Sequence, residues 1–253
     1  MKDKLQFSHY RALLIVAFGI FFNEASAQVT LNSSPYTQNF DNTKTGALPT
    51  GWTVRTGGSA TALGTSVSLV ASNAANNAWT NQDGNFRSAA ANTSLGQNES
   101  NPNQQNAVNR ALALRATSTF GAPGASFVLQ LENTIGKGGF TLVMDQMRLD
   151  PNGNFDLTYD VEYSKAADGN SGWTTIATGV STAGNFGLTA VTYPISAAMN
   201  NHNGTVWIRI RATSTTPAGF YDLLGIDNVQ LRGNPTTTWN GTAWSNASPS
   251  AEF

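Results

Sequence analysis

Short apolar stretches recur along this chain, and turn-forming residues separate them. Such stretches predict β-strands, and no long segment with the 3.6-residue period of a helix competes with them. The nine predicted strands span Ser66–Ala71, Ala111–Ala116, Ser126–Leu131, Phe140–Leu149, Phe155–Tyr163, Thr174–Ala177, Leu188–Tyr193, Val206–Ala212 and Asp222–Leu231. The pattern predicts an all-β fold, an antiparallel β-sandwich rather than alternating strands and helices.

The clearest alternation lies in Val206–Arg211. Its two faces carry Val206, Ile208 and Ile210 on one side and Trp207, Arg209 and Arg211 on the other. Because successive side chains of a strand point to opposite faces, we expect one face in the core and the other towards water or a ligand.

Composition excludes several classes of function. The chain contains no Cys, which removes disulfides, thiolate catalysis and Cys-ligated zinc. After residue 27 it has 11 basic and 13 acidic residues, a net charge of −2, so no nucleic-acid partner is expected. His202 is the one histidine of that part, and its Asn- and Gly-rich surroundings indicate a solvated loop rather than a catalytic triad.

The first 27 residues have the features of a secretory signal peptide. Basic residues precede an apolar run over Ala12–Phe22, and Ala25-Ser26-Ala27 offers the small residues of a cleavage site. The run has 11 residues, whereas a helix that spans a bilayer needs about 20. We expect cleavage before Gln28, export to the cell surface or the medium, and no membrane span in the mature chain.

Two segments depart from the strand pattern. Ser72–Asn109 is rich in Asn, Ala, Gln, Ser and Gly, and we interpret it as a surface excursion anchored by Trp79 and Phe86, with Asn98–Gln105 expected to be mobile. The predicted sandwich covers residues 28–233, and residues 234–253 contain two Trp but are too few for a fold. We interpret this last segment as a linker or the truncated start of a following module.

Three stretches together carry a family resemblance. They are Gln38–Asp41 with Leu48–Trp52, Asn109–Arg115 with Phe120–Phe127, and Gly225–Leu231. They resemble jelly-roll modules of exported Gram-negative surface proteins, of the cleaved-adhesin, MAM-like or choice-of-anchor type, over most of Tyr36–Arg232. The resemblance implies a jelly-roll sandwich, but it identifies no function, because such modules accompany nucleases, proteases, glycosidases and adhesins.

The same resemblance implies a structural calcium ion. In similar modules the first and last strands lie side by side, and nearby acidic residues hold the metal. Asp41, Asp222 and Asp227 are the matching positions here. Calcium takes six to eight oxygen ligands, which these carboxylates and neighbouring amides could supply. The alternative is that Asp41 opens a turn and Asp227 accepts hydrogen bonds from backbone amides.

One strand offers a candidate catalytic pair. Residues two apart on a strand are roughly 6.5–7 Å apart, so Asp160 and Glu162 could form the acid/base pair of a glycosidase. Jelly-roll glycosidases that resemble laminarinases use Glu-x-Asp-x-x-Glu, which this strand does not contain. We favour a solvated strand face, and we assign no catalytic residue.

Aromatic rings flanked by polar groups are typical of sugar-binding surfaces. Trp79, Trp173 and Trp207 are the candidate rings, with Arg209 and Arg211 as hydrogen-bonding partners, while Trp52 is expected in the core. The alternative for the three rings is packing beneath loops.

These observations predict an exported, non-catalytic module for cell-surface binding or adhesion. Its partner would be an extracellular glycan or a surface protein, with carbohydrate favoured. Two alternatives stay open: an accessory or catalytic part of a secreted glycosidase, and a structural spacer of a surface protein.

Overall fold

The computed structural model describes residues 27–32, 34–75, 77–93, 95–150, 152–182, 184–215, 219–236, 238–239 and 244–245. The fifteen strands in this part of the chain are β1 (Tyr36–Gln38), β2 (Trp52–Thr56), β3 (Thr65–Val67), β4 (Leu69–Val70), β5 (Asn85–Ala90), β6 (Arg110–Thr117), β7 (Ser126–Leu131), β8 (Lys137–Asp150), β9 (Thr158–Ser164), β10 (Thr174–Ser181), β11 (Gly187–Pro194), β12 (Val206–Ala212), β13 (Phe220–Pro235), β14 (Thr238–Trp239) and β15 (Trp244–Ser245). One helix, α1 (Asn101–Asn106), and 3₁₀ turns over Asp41–Thr45 and Ala197–Met199 complete the described elements.

The strands form two large sheets packed face to face. One sheet has six strands in the order β10-β9-β12-β7-β2-β3. The other has seven strands in the order β11-β8-β13-β6-β5-β4, with β1 paired to the end of β13. Pairing is antiparallel except between β4 and β5. The predicted antiparallel sandwich of jelly-roll type is therefore confirmed.

The core lies between the inward faces of the two sheets. Phe127 and Leu129 on β7 face Phe86 on β5 and Leu114 on β6, and all four are at most 1% exposed. The Phe86 and Phe127 rings meet edge to face across the sheets at 5.5 Å between centroids. Burial of each such side chain contributes about 1.5–3 kcal/mol.

The excursion over Ser72–Asn109 contains structure that the sequence pattern did not predict. Strand β5 lies inside it, and both faces of β5 are buried because the rest of the excursion covers the outer side of the seven-stranded sheet. The part expected to be mobile includes most of α1, whose Gln104 is 6% exposed. The Gln104 carbonyl accepts a hydrogen bond of 2.7 Å from the Arg110 guanidinium, which ties the helix to β6.

The structure describes only part of the segments that precede and follow the predicted sandwich. The predicted signal peptide lies outside the described residues except for Ala27. At the other end β13 continues to Pro235, and Trp239 is the register partner of Trp244 in the short β14–β15 pair. Within the described residues, no helix has the length and hydropathy that a membrane crossing requires.

Candidate functional site

The outer face of the six-stranded sheet brings together most of the residues predicted to bind a ligand. It carries Trp207, Arg209 and Arg211 on β12, Asp160 and Glu162 on β9, and Trp173 in the loop before β10. We name these six residues the tryptophan–arginine face. Trp79, the remaining predicted ligand-binding residue, lies on the outer side of the other sheet.

Arg209 is fully buried and contacts Glu162, Trp173 and the loop that carries Ser59 and Ala62. Its Nε donates to Glu162 Oε2 at 2.7 Å, and its terminal nitrogens donate to the carbonyls of Ala62 at 2.9 Å and Ser59 at 2.8 Å. Its Cζ lies 3.6 Å from the centroid of the Trp173 ring, which is a cation–π contact. Arg209 therefore holds a loop and a ring over the sheet and does not face water.

Arg211 completes an ion-paired cluster. Its Nε donates to Glu162 Oε2 at 2.9 Å, and one terminal nitrogen donates to Glu162 Oε1 at 3.1 Å and Asp160 Oδ2 at 3.3 Å. Asp160 Oδ1 accepts from the Thr178 hydroxyl and the Gly179 N–H, both at 2.9 Å. Both oxygens of each carboxylate in the candidate catalytic pair are thus engaged within the protein.

The charge state of Glu162 follows from these partners. Burial raises its pKa, but hydrogen bonds from Arg211 and Arg209, together with their charges, outweigh burial and leave the pKa below its usual value. The general acid of a glycosidase needs a raised pKa, since it must carry a proton at working pH. Glu162 is therefore suited to binding two arginines as an anion and not to donating a proton.

The two rings of this face differ in access. Trp207 is 6% exposed, donates from Nε1 to the carbonyl of Ala166 at 3.0 Å, and packs against Leu63 and Val128. Trp173 packs against the same cluster but remains partly exposed, and its Nε1 has no hydrogen-bond partner among the described residues. Trp173 is therefore the more accessible ring for a ligand.

Trp79 anchors the excursion, as the sequence pattern predicted, but it offers no surface. The ring is 1% exposed, and its Nε1 donates to the carbonyl of Ala90 at 3.0 Å. Its backbone N–H donates to Gln104 Oε1 at 2.8 Å. A ring buried to this degree has no face on which a sugar could stack, which corrects its assignment to the ligand-binding set.

Pairing of β1 with β13 brings two of the predicted calcium ligands into one region. Asp41 accepts hydrogen bonds from the backbone N–H of Arg110 at 2.9 Å and from the Asn39 amide at 2.7 Å. Asp227 Oδ1 accepts from the backbone N–H of Asn228 at 2.7 Å. These contacts agree with the alternative interpretation: Asp41 opens the 3₁₀ turn Asp41–Thr45, and Asp227 accepts from a neighbouring backbone amide.

Asp227 nevertheless has an unusual environment. It is fully buried, and its Oδ2 has no hydrogen-bond partner among the described residues. The pKa of Asp227 is raised to about 7, chiefly by burial and also by the charges of Asp41 and Asp145, while the hydrogen bond from the N–H of Asn228 opposes the rise. A bound cation would relieve the repulsion between these three carboxylates.

The third predicted ligand does not join this region. Asp222 lies earlier on β13, where its Oδ2 is 2.7 Å from Arg148 and 3.2 Å from the Thr182 hydroxyl. Burial raises the pKa of Asp222 to about 6, and the charge of Arg148 opposes the rise. Within the described residues, no group of three or more His, Cys, Asp or Glu side chains could hold a metal ion. The residues thus fit a calcium ion only if Asp41 and Asp227 are supplemented by amide and backbone oxygens.

A cleft of about 390 Å³ opens beside Asp41 and Asp227, and the sequence pattern did not reveal it. Its lining consists of Thr37, Gln38, Asn39, Asn42, Asn228 and Gln230, which we name the amide cleft. None of the described residues that line it is charged or aromatic. The sequence stretches Gln38–Asp41 and Gly225–Leu231 contain several of the amides that line this cleft. Only the pairing of β1 with β13 shows that these amides lie close together.

No protein-family model and no curated protein sequence matches the chain. Among solved structures, it is similar to the CBM22-1 xylan-binding domain of Paenibacillus barcinonensis Xyn10C, with 10% identity, 78% of this chain and 92% of that chain covered, and a TM-score of 0.44. It is also similar to the K1 cleaved adhesin domain of Lys-gingipain from Porphyromonas gingivalis W83, with 14% identity, 80% and 99% covered, and a TM-score of 0.43. A third similar structure is TmCBM61 in complex with β-1,4-galactotriose, with 18% identity, 49% and 70% covered, and a TM-score of 0.30.

Proposed function

We propose that this chain is an exported, non-catalytic β-sandwich module that binds carbohydrate at the cell surface. The observation that carries the proposal is Trp173, a partly exposed ring fixed by Arg209 among carboxylates that are fully ion-paired. A flat ring beside charged, planar hydrogen-bonding groups is the kind of surface on which the C–H face of a sugar stacks.

The ring is held in place before any ligand arrives. The guanidinium of Arg209 covers one face of Trp173 and is itself held by Glu162 and by two backbone carbonyls. A preorganised ring loses little conformational freedom on binding, so more of its contact energy becomes affinity. Arg211 and Asp160 lie nearby with 14% and 15% side-chain exposure and could contribute polar contacts.

The same ion pairs argue against the glycosidase alternative. Hydrolysis requires one carboxyl group that donates a proton and another that acts as nucleophile or base. Glu162 is held as an anion by two arginines, and Asp160 is engaged through both oxygens. This arrangement supports binding of a glycan without its cleavage.

The test measures glycan binding and hydrolysis by the same purified protein. Wild-type protein is expected to bind members of a neutral oligosaccharide array and to release no reducing ends from them. Trp173→Ala should weaken binding by a loss on the order of 1–3 kcal/mol, as truncation of an anchor ring does elsewhere. Phe155→Ala, which removes a ring that is 38% exposed outside this face, is the matched control and should bind normally.

Each alternative predicts a different result. A spacer would bind no glycan on the array, which would contradict the proposal. A glycosidase would release reducing ends and lose this activity in Asp160→Asn. The control for that variant is its melting temperature, because Asp160 also anchors the β10 backbone. Unchanged binding by Trp173→Ala would exclude this ring as the platform.

We also propose that a structural calcium ion binds beside Asp41 and Asp227. The support is the buried, unpartnered Asp227 Oδ2 and the like charges of Asp41 and Asp145 around it. Asp222 is not part of this proposal, because Arg148 already neutralises it. The bound ion would stabilise the junction of β1 and β13 and take no part in chemistry.

A further inference from the structure

We infer that the amide cleft is a second carbohydrate site, specific for an uncharged sugar residue. The inference rests on the proposed function for the class of ligand, but it concerns a different surface from the tryptophan–arginine face. The cleft has about 390 Å³ of space, within the range of small-molecule sites, and six amide or hydroxyl side chains line it.

Several of these side chains have hydrogen-bonding groups that the protein does not use. No side-chain hydrogen bond engages Gln38 or Asn42 within the described residues, and Asn42 is exposed. Gln230 accepts at Oε1 from Arg232 at 2.8 Å, which leaves its amide NH₂ as the free donor. An amide group that both donates and accepts suits sugar hydroxyls, which do the same.

The backbone places Asn228 at the cleft. The pairing of β13 with β8 shifts between Asp227 and Gln230, and Asn228 has a φ of 47° within this bulge. Bulges redirect a side chain that a regular strand would place elsewhere. The Asn228 amide donates to Asp145 Oδ2 at 2.8 Å, so its carbonyl oxygen is the group left for a ligand.

The residues behind the lining determine the charge of the ligand. Asp41 accepts from the Asn39 amide at 2.7 Å, and Asp145 and Asp227 accept from Asn228. A carboxylated or sulfated sugar in the cleft would therefore lie within a Debye length, about 8 Å at physiological ionic strength, of these carboxylates. In the calcium-free protein their repulsion disfavours an anionic ligand, whereas a neutral sugar experiences none.

The experiment uses the Trp173→Ala background, which removes the other candidate site. A panel of neutral gluco-, galacto-, manno- and xylo-oligosaccharides is compared with an oligogalacturonate matched in length to the galacto-oligosaccharide, by calorimetry in EDTA. We expect at least one neutral oligosaccharide to bind and oligogalacturonate to bind about tenfold more weakly or not at all. Asn42→Ala, Gln230→Ala and Asn228→Gly should each weaken neutral binding, and Gly accommodates the positive φ of Asn228.

Asn185→Ala is the matched control, since it removes an exposed amide that does not line the cleft. Retained binding in all three cleft variants would overturn the inference and leave the proposed function intact. Equal affinity for oligogalacturonate would overturn the specificity for uncharged sugars. Absence of binding by wild-type protein to every oligosaccharide would contradict the proposed function and this inference together.

Discussion

At the scale of single residues, Asp227 gives a prediction about pH. In the folded protein its pKa is raised to about 7, whereas an unfolded Asp titrates near 3.9. Between roughly pH 4 and pH 7 the folded state therefore retains a proton that the unfolded state has lost. The contribution of Asp227 to stability is present at low pH and is lost as the pH rises through this window.

The measurement is the free energy of unfolding in urea, with EDTA present, from pH 4 to pH 8. The stability of wild-type protein should fall with rising pH more steeply than that of Asp227→Asn, which has no proton to lose. Asp83→Asn, at an exposed aspartate, is the control and should retain the wild-type slope. Equal slopes for wild type and Asp227→Asn would show that burial does not perturb this group.

At the scale of elements, Trp79 joins the excursion to the outer side of the seven-stranded sheet. Its ring is 1% exposed and packs in a cluster with Ala89, Ala111 and Met147, so its truncation would leave a cavity. Trp79→Ala should lower the free energy of unfolding by about 3–5 kcal/mol.

The control for this prediction is Val108→Ala, which lies in the same excursion at a side chain that is 83% exposed. This variant should change the free energy of unfolding by about 0.5 kcal/mol at most. Glycan binding by the folded fraction of Trp79→Ala should equal that of wild type. A selective loss of binding with unchanged stability would restore the ring to the ligand-binding set.

The junction of β1 and β13 is the element at which calcium would act. Those strands pair over three residues, and Asp41 and Asp227 both lie beyond the end of the pairing at which Gln38 meets Val229. An ion that binds only the folded state adds about 2.7 kcal/mol when its free concentration is one hundred times its Kd. Melting should therefore shift to higher temperature when EDTA is replaced by calcium, and the shift should vanish in Asp41→Asn. Identical midpoints in wild-type protein would leave both residues as hydrogen-bonding groups.

At the scale of the whole molecule, the predicted export determines where the mature chain begins. Small residues at Ala25 and Ala27 predict cleavage before Gln28, whose amide donates to Thr205 Oγ1 at 2.9 Å. N-terminal sequencing of protein recovered from the medium or the cell surface should therefore begin at Gln28. Recovery of chains that start at Met1 would remove the basis for the export proposal.

The fold class and the positions of eight predicted strands follow from the amino-acid sequence alone, whereas the predicted strand Ser66–Ala71 is divided between β3 and β4, which lie in different sheets. Alternation in Val206–Arg211 predicted β12 and assigned Ile208 inward and Arg209 outward, because the two-residue period of a strand is a local property. Strand β5 was not predicted, since both of its faces are buried and its sequence, Asn85–Ala90, therefore lacks alternation.

The partners of the outward side chains depend on tertiary contacts. The sequence predicted that Arg209 faces water or a ligand, but the loop that carries Ser59 and Ala62 folds over it and buries it. The amide cleft likewise requires β1 to pair with β13, which joins residues nearly two hundred positions apart. Periodicity reports the face on which a side chain lies, whereas its partners depend on contacts between segments that are distant in sequence.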